Sequence, residues 1–167
     1  MIVEGTLAHL DDLVELFDRY RVFYRKESDT KGAREFLTER LQHEESVVYL
    51  FYKDDIAAGF TQLYPKYSSA RMVQNWILND LFVKEEYRKL GIGEQLISRA
   101  FEFAKSKGAA FVQLETQVEN VNAQRLYERL NFELQGPSFC CIRGTCRKEK
   151  LVSSAIRYFL SSIQITF

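Results

Sequence analysis

At 167 residues the chain has the length of one domain with a core of its own, and 46% hydrophobic and 14% aromatic residues exclude a disordered polypeptide. Lys and Arg number 23, as do Asp and Glu, so the formal charge is zero, without the basic excess of nucleic-acid or membrane-surface binders. No apolar run approaches the ~20 residues of a membrane-spanning helix, and MIVEGTLAHLDD carries acids where a signal peptide would be apolar. A soluble, cytoplasmic protein is the expectation. Cys140, Cys141 and Cys146 are odd in number and far from His9 and His43. Free thiols are therefore expected rather than a disulfide framework or a metal site.

MIVEGT alternates and stops at Gly5, which predicts a short first strand. Leu10, Leu13, Val14, Phe17 and Tyr20 then recur at helical spacing. KESDTKG breaks the pattern and offers Ser28, Asp29 or Thr30 as the N-cap of a second helix, which carries Phe36, Leu37 and Leu41 to about His43. SVVYLFYK and IAAGFTQLYP are rich in β-branched and aromatic residues, and a hairpin turning at Lys53–Asp55 joins them. Pro65 is expected to end the second of these strands, since proline cannot donate to a ladder.

MVQNWILNDLFV reads as a long strand, apolar nearly throughout and hence central. A helix from Gly91 to about Lys107 places Ile92, Leu96, Ala100, Phe103 and Ala104 on one side, with Gly108 as its stop. AFVQLET is the next strand, and Asn120 to Leu130 the next helix. The strand–helix–strand unit from Trp76 through Thr116 implies a parallel pair with a right-handed crossover. Residues 136–167 hold five Lys/Arg and one acid, Glu149, against 18 bases and 22 acids in the first 135. We read 1–135 as the main body and 136–167 as the closing strand or strands and an atypical tail of the same domain. QGPSFCCIRG is expected as a strand, and SAIRYFLSSIQITF as helix or strand.

Arg88-Lys89-Leu90-Gly91-Ile92-Gly93 lies between a strand and a helix. The first N–H groups of a helix have no internal partner and carry partial positive charge. Glycines let an anion approach those amides, and Arg88 and Lys89 add charge at the same end. The Walker pattern is absent, and the dinucleotide fingerprint would need glycine where Leu96 stands. From these six residues alone, an anion site and a tight turn with Gly91 as its cap both stay open.

Two separated motifs resemble the GCN5-related N-acetyltransferase superfamily, nearest to its small-molecule amine and diamine acetyltransferases. Arg88, Gly91 and Gly93 meet that family's Gln/Arg-x-x-Gly-x-Gly/Ala loop. Asn120, Ala123, Leu126, Tyr127 and Glu128 meet its Asn-x-x-Ala-x-x-Leu-Tyr-Glu helix. The resemblance spans roughly Ile2 to Phe132 and implies an α/β (α+β by some schemes) acyl-CoA N-acyltransferase fold. Its sheet would be mixed, mostly antiparallel, with a splayed parallel strand pair and flanking helices.

The resemblance further implies acetyl-CoA in the splay as acyl donor, with no metal. The backbone of Leu81, Phe82 and Val83 would pair with the pantetheine arm. Arg88, Lys89, Leu90, Gly91, Ile92, Gly93 and Glu94 would hold the pyrophosphate, with Asn120 and Ala123 on the pantetheine side. Tyr127 would address the CoA sulfur, although its spacing also suits core packing. Asp80 is the candidate base. Diamine acetyltransferases read Glu-Asp-Phe-Phe-Val where this chain has Asn79-Asp80-Leu81-Phe82-Val83, so the glutamate is replaced. Asn131-Phe132 stands for the usual Gly-Phe, and asparagine tolerates the left-handed backbone glycine supplies.

Tyr20, Phe23, Tyr24, Glu27, Trp76 and Asn79 are candidates for the acceptor side, with Phe23 and Trp76 equally suited to a core. The expected acceptor is an amine of a small molecule or peptide, with neither nucleic acid nor membrane as partner and a homodimer as a compatible assembly. The rival reading is a CoA-binding sensor or partner subunit without turnover.

Overall fold

Two adjacent residues in the left-handed region, Asp54 (φ 51) and Asp55 (φ 62), turn the chain between its first two long strands. That pair matches a type I′ hairpin, whose twist suits the strands it joins. The computed structural model describes residues 1–117, 120–135 and 140–145. In chain order these form β1 (Ile2–Glu4), α1 (Leu10–Phe23), α2 (Thr30–Gln42), β2 (Val47–Lys53), β3 (Ile56–Ser68) and β4 (Val73–Val83). There follow α3 (Ile92–Ser106), β5 (Phe111–Thr116), α4 (Val121–Arg129), β6 (Glu133–Gln135) and β7 (Cys140–Thr145). Among the described residues, no helix is long and apolar enough to cross a membrane.

The strands make one mixed sheet in the order β1-β2-β3-β4-β5-β7-β6. All neighbours are antiparallel except β4 and β5, which the α3 crossover makes parallel. One face is covered by α1 and α2, through Leu13, Val14, Leu16, Ala33 and Leu37 against Val48, Leu50 and Phe60. The other carries α3, through Leu96, Ile97, Ala100 and Phe103 against Tyr49, Trp76, Val112 and Leu114. Leu13, Leu16 and Leu37 are fully buried, so truncating any one to alanine costs about 2–5 kcal/mol.

One expectation is corrected. Pro65 does not end its strand: it pairs with Trp76, and β3 continues to Ser68. The β2 ladder stops at Val47–Leu63, so this stretch of β3 has a free side, where a proline is tolerated. The strand expected within QGPSFCCIRG is β7, which pairs with β5 from Phe111–Thr145 to Thr116–Cys140, and with β6. The thiol of Cys146 and the terminal segment SAIRYFLSSIQITF lie outside the described residues.

The feature that most shapes the centre is a β-bulge. Gln62 pairs with Asp80 but Leu63 pairs with Leu78, leaving Asn79 as an extra residue on β4. Side chains alternate along a strand, so one extra residue exchanges its faces. Trp76 and Leu78 pack under α3; beyond the bulge Leu81 and Val83 take that side, and Phe82 joins the α1–α2 core. Asp80, two residues before Phe82, turns to the same side.

A buried carboxylate ties down the α1–α2 connection. Asp18 accepts from Ser28 Oγ (2.7 Å) and the Asp29 N–H (2.7 Å), and pairs with Arg21 at 3.5 Å. Burial pushes its pKa up, but the bonds from Ser28 and Asp29 and the Arg21 charge outweigh that and hold it below the usual value. Asp29 can then cap α2, accepting from the Gly32 N–H at 2.8 Å. Asp18→Ala is expected to destabilise the fold by about 1–3 kcal/mol, because the Asp29 N–H loses its partner. A group with a lowered folded pKa stabilises above its unfolded value and stops doing so as pH falls through the folded one. Thermal melts of wild type and variant should therefore converge as pH drops below the ordinary aspartate value of 3.8.

Candidate active site

β4 and β5 part almost as soon as they meet. Their ladder holds only Trp76–Val112 and Ile77–Gln113, after which the bulge at Asn79 bends β4 away. The cleft between Leu78–Val83 and the end of β5 has a volume near 530 Å³, a size suited to a small-molecule ligand. Among the described residues, the backbone groups of β4 past Ile77 have no strand partner on that side, so an extended ligand can pair with them as an added strand would.

The loop from Arg88 to Gly93 forms one end of the cleft. Lys89 (φ 62) and Gly91 (φ 75) are both left-handed, and α3 begins directly after. A left-handed residue followed by helical ones gathers successive N–H groups into an anion-binding concavity. For a non-glycine residue such as Lys89 that conformation costs on the order of 1 kcal/mol and is tolerated where the surroundings impose it. The first helical bond is from Gln95 N–H to the Gly91 carbonyl (3.1 Å), so the amides of Ile92, Gly93 and Glu94 have no intrahelical partner. Asp29 and Asn120 cap α2 and α4 with their side chains, whereas Gly91 has none to offer α3. Arg88 braces this loop: its Nε donates to the Val83 carbonyl (3.1 Å) and its guanidinium lies 5.5 Å from the Phe23 ring centroid.

The opposite wall is α4. Asn120 accepts from the Ala123 N–H at 3.3 Å and still lines the cleft. Tyr127 is buried, its ring 5.5 Å from Phe132, and it borders the cleft as well. Burial, with the Tyr24 hydroxyl nearby, pushes Tyr127 up to about 12, so it stays protonated across ordinary pH. The helix leaves through Asn131 at φ 60, the left-handed position that asparagine tolerates.

The third wall is aromatic. Tyr20, Phe23 and Tyr24 at the end of α1 line the cleft, with Tyr20 and Tyr24 packed edge to face at 5.0 Å. Tyr20 also rests against Phe60 (6.0 Å) and Phe82 (6.3 Å). Asp80 is 4% exposed and lies behind this wall rather than in it. Asn79 Nδ2 donates to it at 3.1 Å. Burial raises the Asp80 pKa, partly offset by Asn79 and by the nearby Tyr20 hydroxyl.

The family model described as Acetyltransferase (GNAT) family matches residues 11–132. The chain belongs to that family.

This GNAT enzyme is 43% identical over 121 residues to the Bacillus subtilis (strain 168) protein described as uncharacterized N-acetyltransferase YhfO, covering 72% of this chain and 81% of that one. A crystal structure described as a probable acetyltransferase superposes with a TM-score of 0.78 at 38% identity, over 93% of this chain and 99% of the other. An aminoglycoside N-acetyltransferase in complex with CoA shares the fold, with a TM-score of 0.70 at 20% identity over 94% of each chain. The GNAT chain is thus an acetyltransferase, of a family that uses acetyl-CoA.

The GNAT cleft gathers most of the residues singled out from the sequence: Tyr24, Asn79, Leu81, Phe82, Val83, Arg88, Lys89, Gly91, Ile92, Gly93, Glu94, Asn120, Ala123 and Tyr127. Four do not border it. Leu90 is half exposed outside the loop's inner side, and Glu27 is exposed with its carbonyl accepting from Arg21. Trp76 is buried under α3, 4.7 Å from Phe103, where the bulge's face change leaves it on the core side. Asp80 is the fourth. Glu115, Thr116, Asn122, Leu126 and Arg129 also line the cleft and were given no site role from the sequence. For Leu126 the signal was its place in the α4 motif; for Glu115 and Thr116 it was their place at the end of the strand facing the splay.

Proposed function

We propose that the chain transfers the acetyl group of acetyl-CoA to a primary amine of a small molecule or peptide, by direct attack in a ternary complex. One observation carries this reading: the unpaired run of β4 leads directly to the uncapped amides of α3. An extended amide-bearing arm ending in a pyrophosphate meets both. The backbone of Leu81, Phe82 and Val83 pairs with the arm, and the amides from Lys89 to Glu94 receive the phosphates.

The acceptor enters from the side of Tyr20, Tyr24 and Asn79, aimed across the splay at the thioester. A free amine attacks the carbonyl carbon and forms the C–N bond. A β4 backbone N–H supports the oxyanion, and collapse breaks the C–S bond. Tyr127 stabilises the sulfur. A hydroxyl at about 12 does not surrender its proton outright to a thiolate whose free thiol titrates near 8.5. It donates a hydrogen bond to the developing charge and passes on the proton of the attacking nitrogen.

The test is to incubate the protein with acetyl-CoA and a panel of primary amines: an aliphatic diamine, an amino acid with a side-chain amine, an aminoglycoside and a peptide α-amine. Free thiol should appear with at least one of them. CoA binding measured by calorimetry, with no thiol released for any amine, would establish the non-catalytic CoA-binding reading in its place.

A further inference from the structure

Lys84 follows directly on β4, ahead of the loop that opens α3, and its side chain is only 6% exposed. Its N–H donates to the Ala58 carbonyl of β3 (2.9 Å), and its ammonium pairs with Glu15 of α1 at 2.9 Å. It does not itself border the cleft. We propose that Lys84 is a positioning residue that fixes the acceptor wall on α1 relative to the donor site on β4 and α3; this rests on the acetyl-transfer reading above.

The two halves of the site belong to different parts of the fold. Leu81 to Val83 and the loop from Lys89 to Glu94 lie on one stretch of chain, whereas Tyr20, Phe23 and Tyr24 stand at the end of α1. Tyr20 rests on Phe60 and Phe82, but apolar contact is non-directional and does not set how far α1 sits along the sheet. A charge-assisted hydrogen bond does set a distance. Lys84 supplies one between Glu15 and the residue immediately after Val83. Tyr20 lies on the same helix as Glu15, about 7.5 Å further along its axis. The Glu15 carboxylate also takes Arg19 at 3.1 Å, and Arg19 reaches Glu86 at 3.7 Å, so the pair continues into the Glu85–Tyr87 turn. At the far end of α1, Phe23 meets the guanidinium of Arg88.

Stability alone does not call for a lysine here. Taking an ammonium out of water is costly, and one carboxylate that is itself 46% exposed offsets only part of that cost. An apolar side chain of similar length would fill the space and hold the fold as well. The Arg19 pairs are half exposed, where water and salt leave them little strength of their own. What the buried pair adds is a fixed geometry between two walls whose separation sets the reach from amine to thioester.

Three variants are compared with wild type: Lys84→Met, Glu15→Gln and the two together. Each is read by thermal melt, by calorimetric titration with CoA, and by kcat and KM for the panel amine that releases thiol fastest. Lys84→Met should melt at or above wild type and bind CoA unchanged, because no donor-site group is touched. Its kcat/KM for the amine should fall about 10-fold or more, since a small misplacement of reacting groups is enough for such a loss. Glu15→Gln should show the same loss with a lower melting temperature, because the Lys84 ammonium is left buried without its counter-charge. The double variant should regain that stability and lose no more activity than Lys84→Met, as two members of one pair do. A Lys84→Met enzyme with wild-type kcat/KM would overturn the proposal. So would a loss of activity matched by losses of CoA affinity and melting temperature, which marks a structural role only. If Lys84→Met does not fold, Glu15→Gln decides by kcat/KM set against CoA affinity. Wild-type turnover beside a fully active Lys84→Met sinks the positioning role alone. No wild-type turnover with any amine sinks the acetyl-transfer reading along with it.

Discussion

Gly93→Asp should weaken CoA binding by about 10²-fold or more while leaving the melting temperature unchanged or slightly higher. A side chain fits at this position: a Cβ on Gly93 would meet Leu126 at 3.5 Å, an ordinary contact. An acid in the first turn of a helix is favourable by roughly 0.3–1 kcal/mol, so α3 itself gains. The same carboxylate stands where the pyrophosphate is proposed to lie. Two like charges about 4 Å apart near a protein surface repel by about 4 kcal/mol at an effective dielectric of 20, and each 1.4 kcal/mol is a decade in affinity. Stability and affinity move in opposite directions, so misfolding cannot imitate the result. Calorimetric titration with CoA beside a thermal melt reads both quantities, and unchanged affinity would remove this loop from the donor site.

Tyr127→Phe should lower kcat about 10²-fold with KM for acetyl-CoA nearly constant, as for loss of an interaction made only in the transition state. The phenylalanine ring retains the contact with Phe132, so the fold should hold. Because burial pushes Tyr127 up to about 12, its ionisation should contribute no limb to the wild-type pH profile near neutrality. Steady-state rates over pH 6 to 9, a window set about the neutral working range, check both points. Turnover equal to wild type would leave Tyr127 as a core residue that happens to border the cleft.

The residues that announced the site were those whose chemistry depends on near neighbours. Gly91 and Gly93 flank a helix start, and Asn120 caps the helix that carries Tyr127; both features are local and so visible as spacing. The hairpin at Asp54 and Asp55 and the left-handed exit at Asn131 were legible for the same reason, since turn backbone is chosen by a few adjacent residues. Pro65 misled because its tolerance depends on where β2 stops, which is a property of the neighbouring strand. Asp80 was expected at the cleft because nothing in NWILNDLFV marks the extra residue: the strand is apolar on both faces, so a change of face leaves no break in the pattern.

By itself the sequence determined the order of the central elements, the anion-seeking loop and the tyrosine-bearing helix, because these follow from local periodicity, turn chemistry and short motifs. Only the tertiary structure decided where β4 and β5 part, and that Asn79 rather than Asp80 faces the opening. The register of the long β3–β4 ladder and the shortness of the β4–β5 one set both, and register depends on residues far apart in the chain.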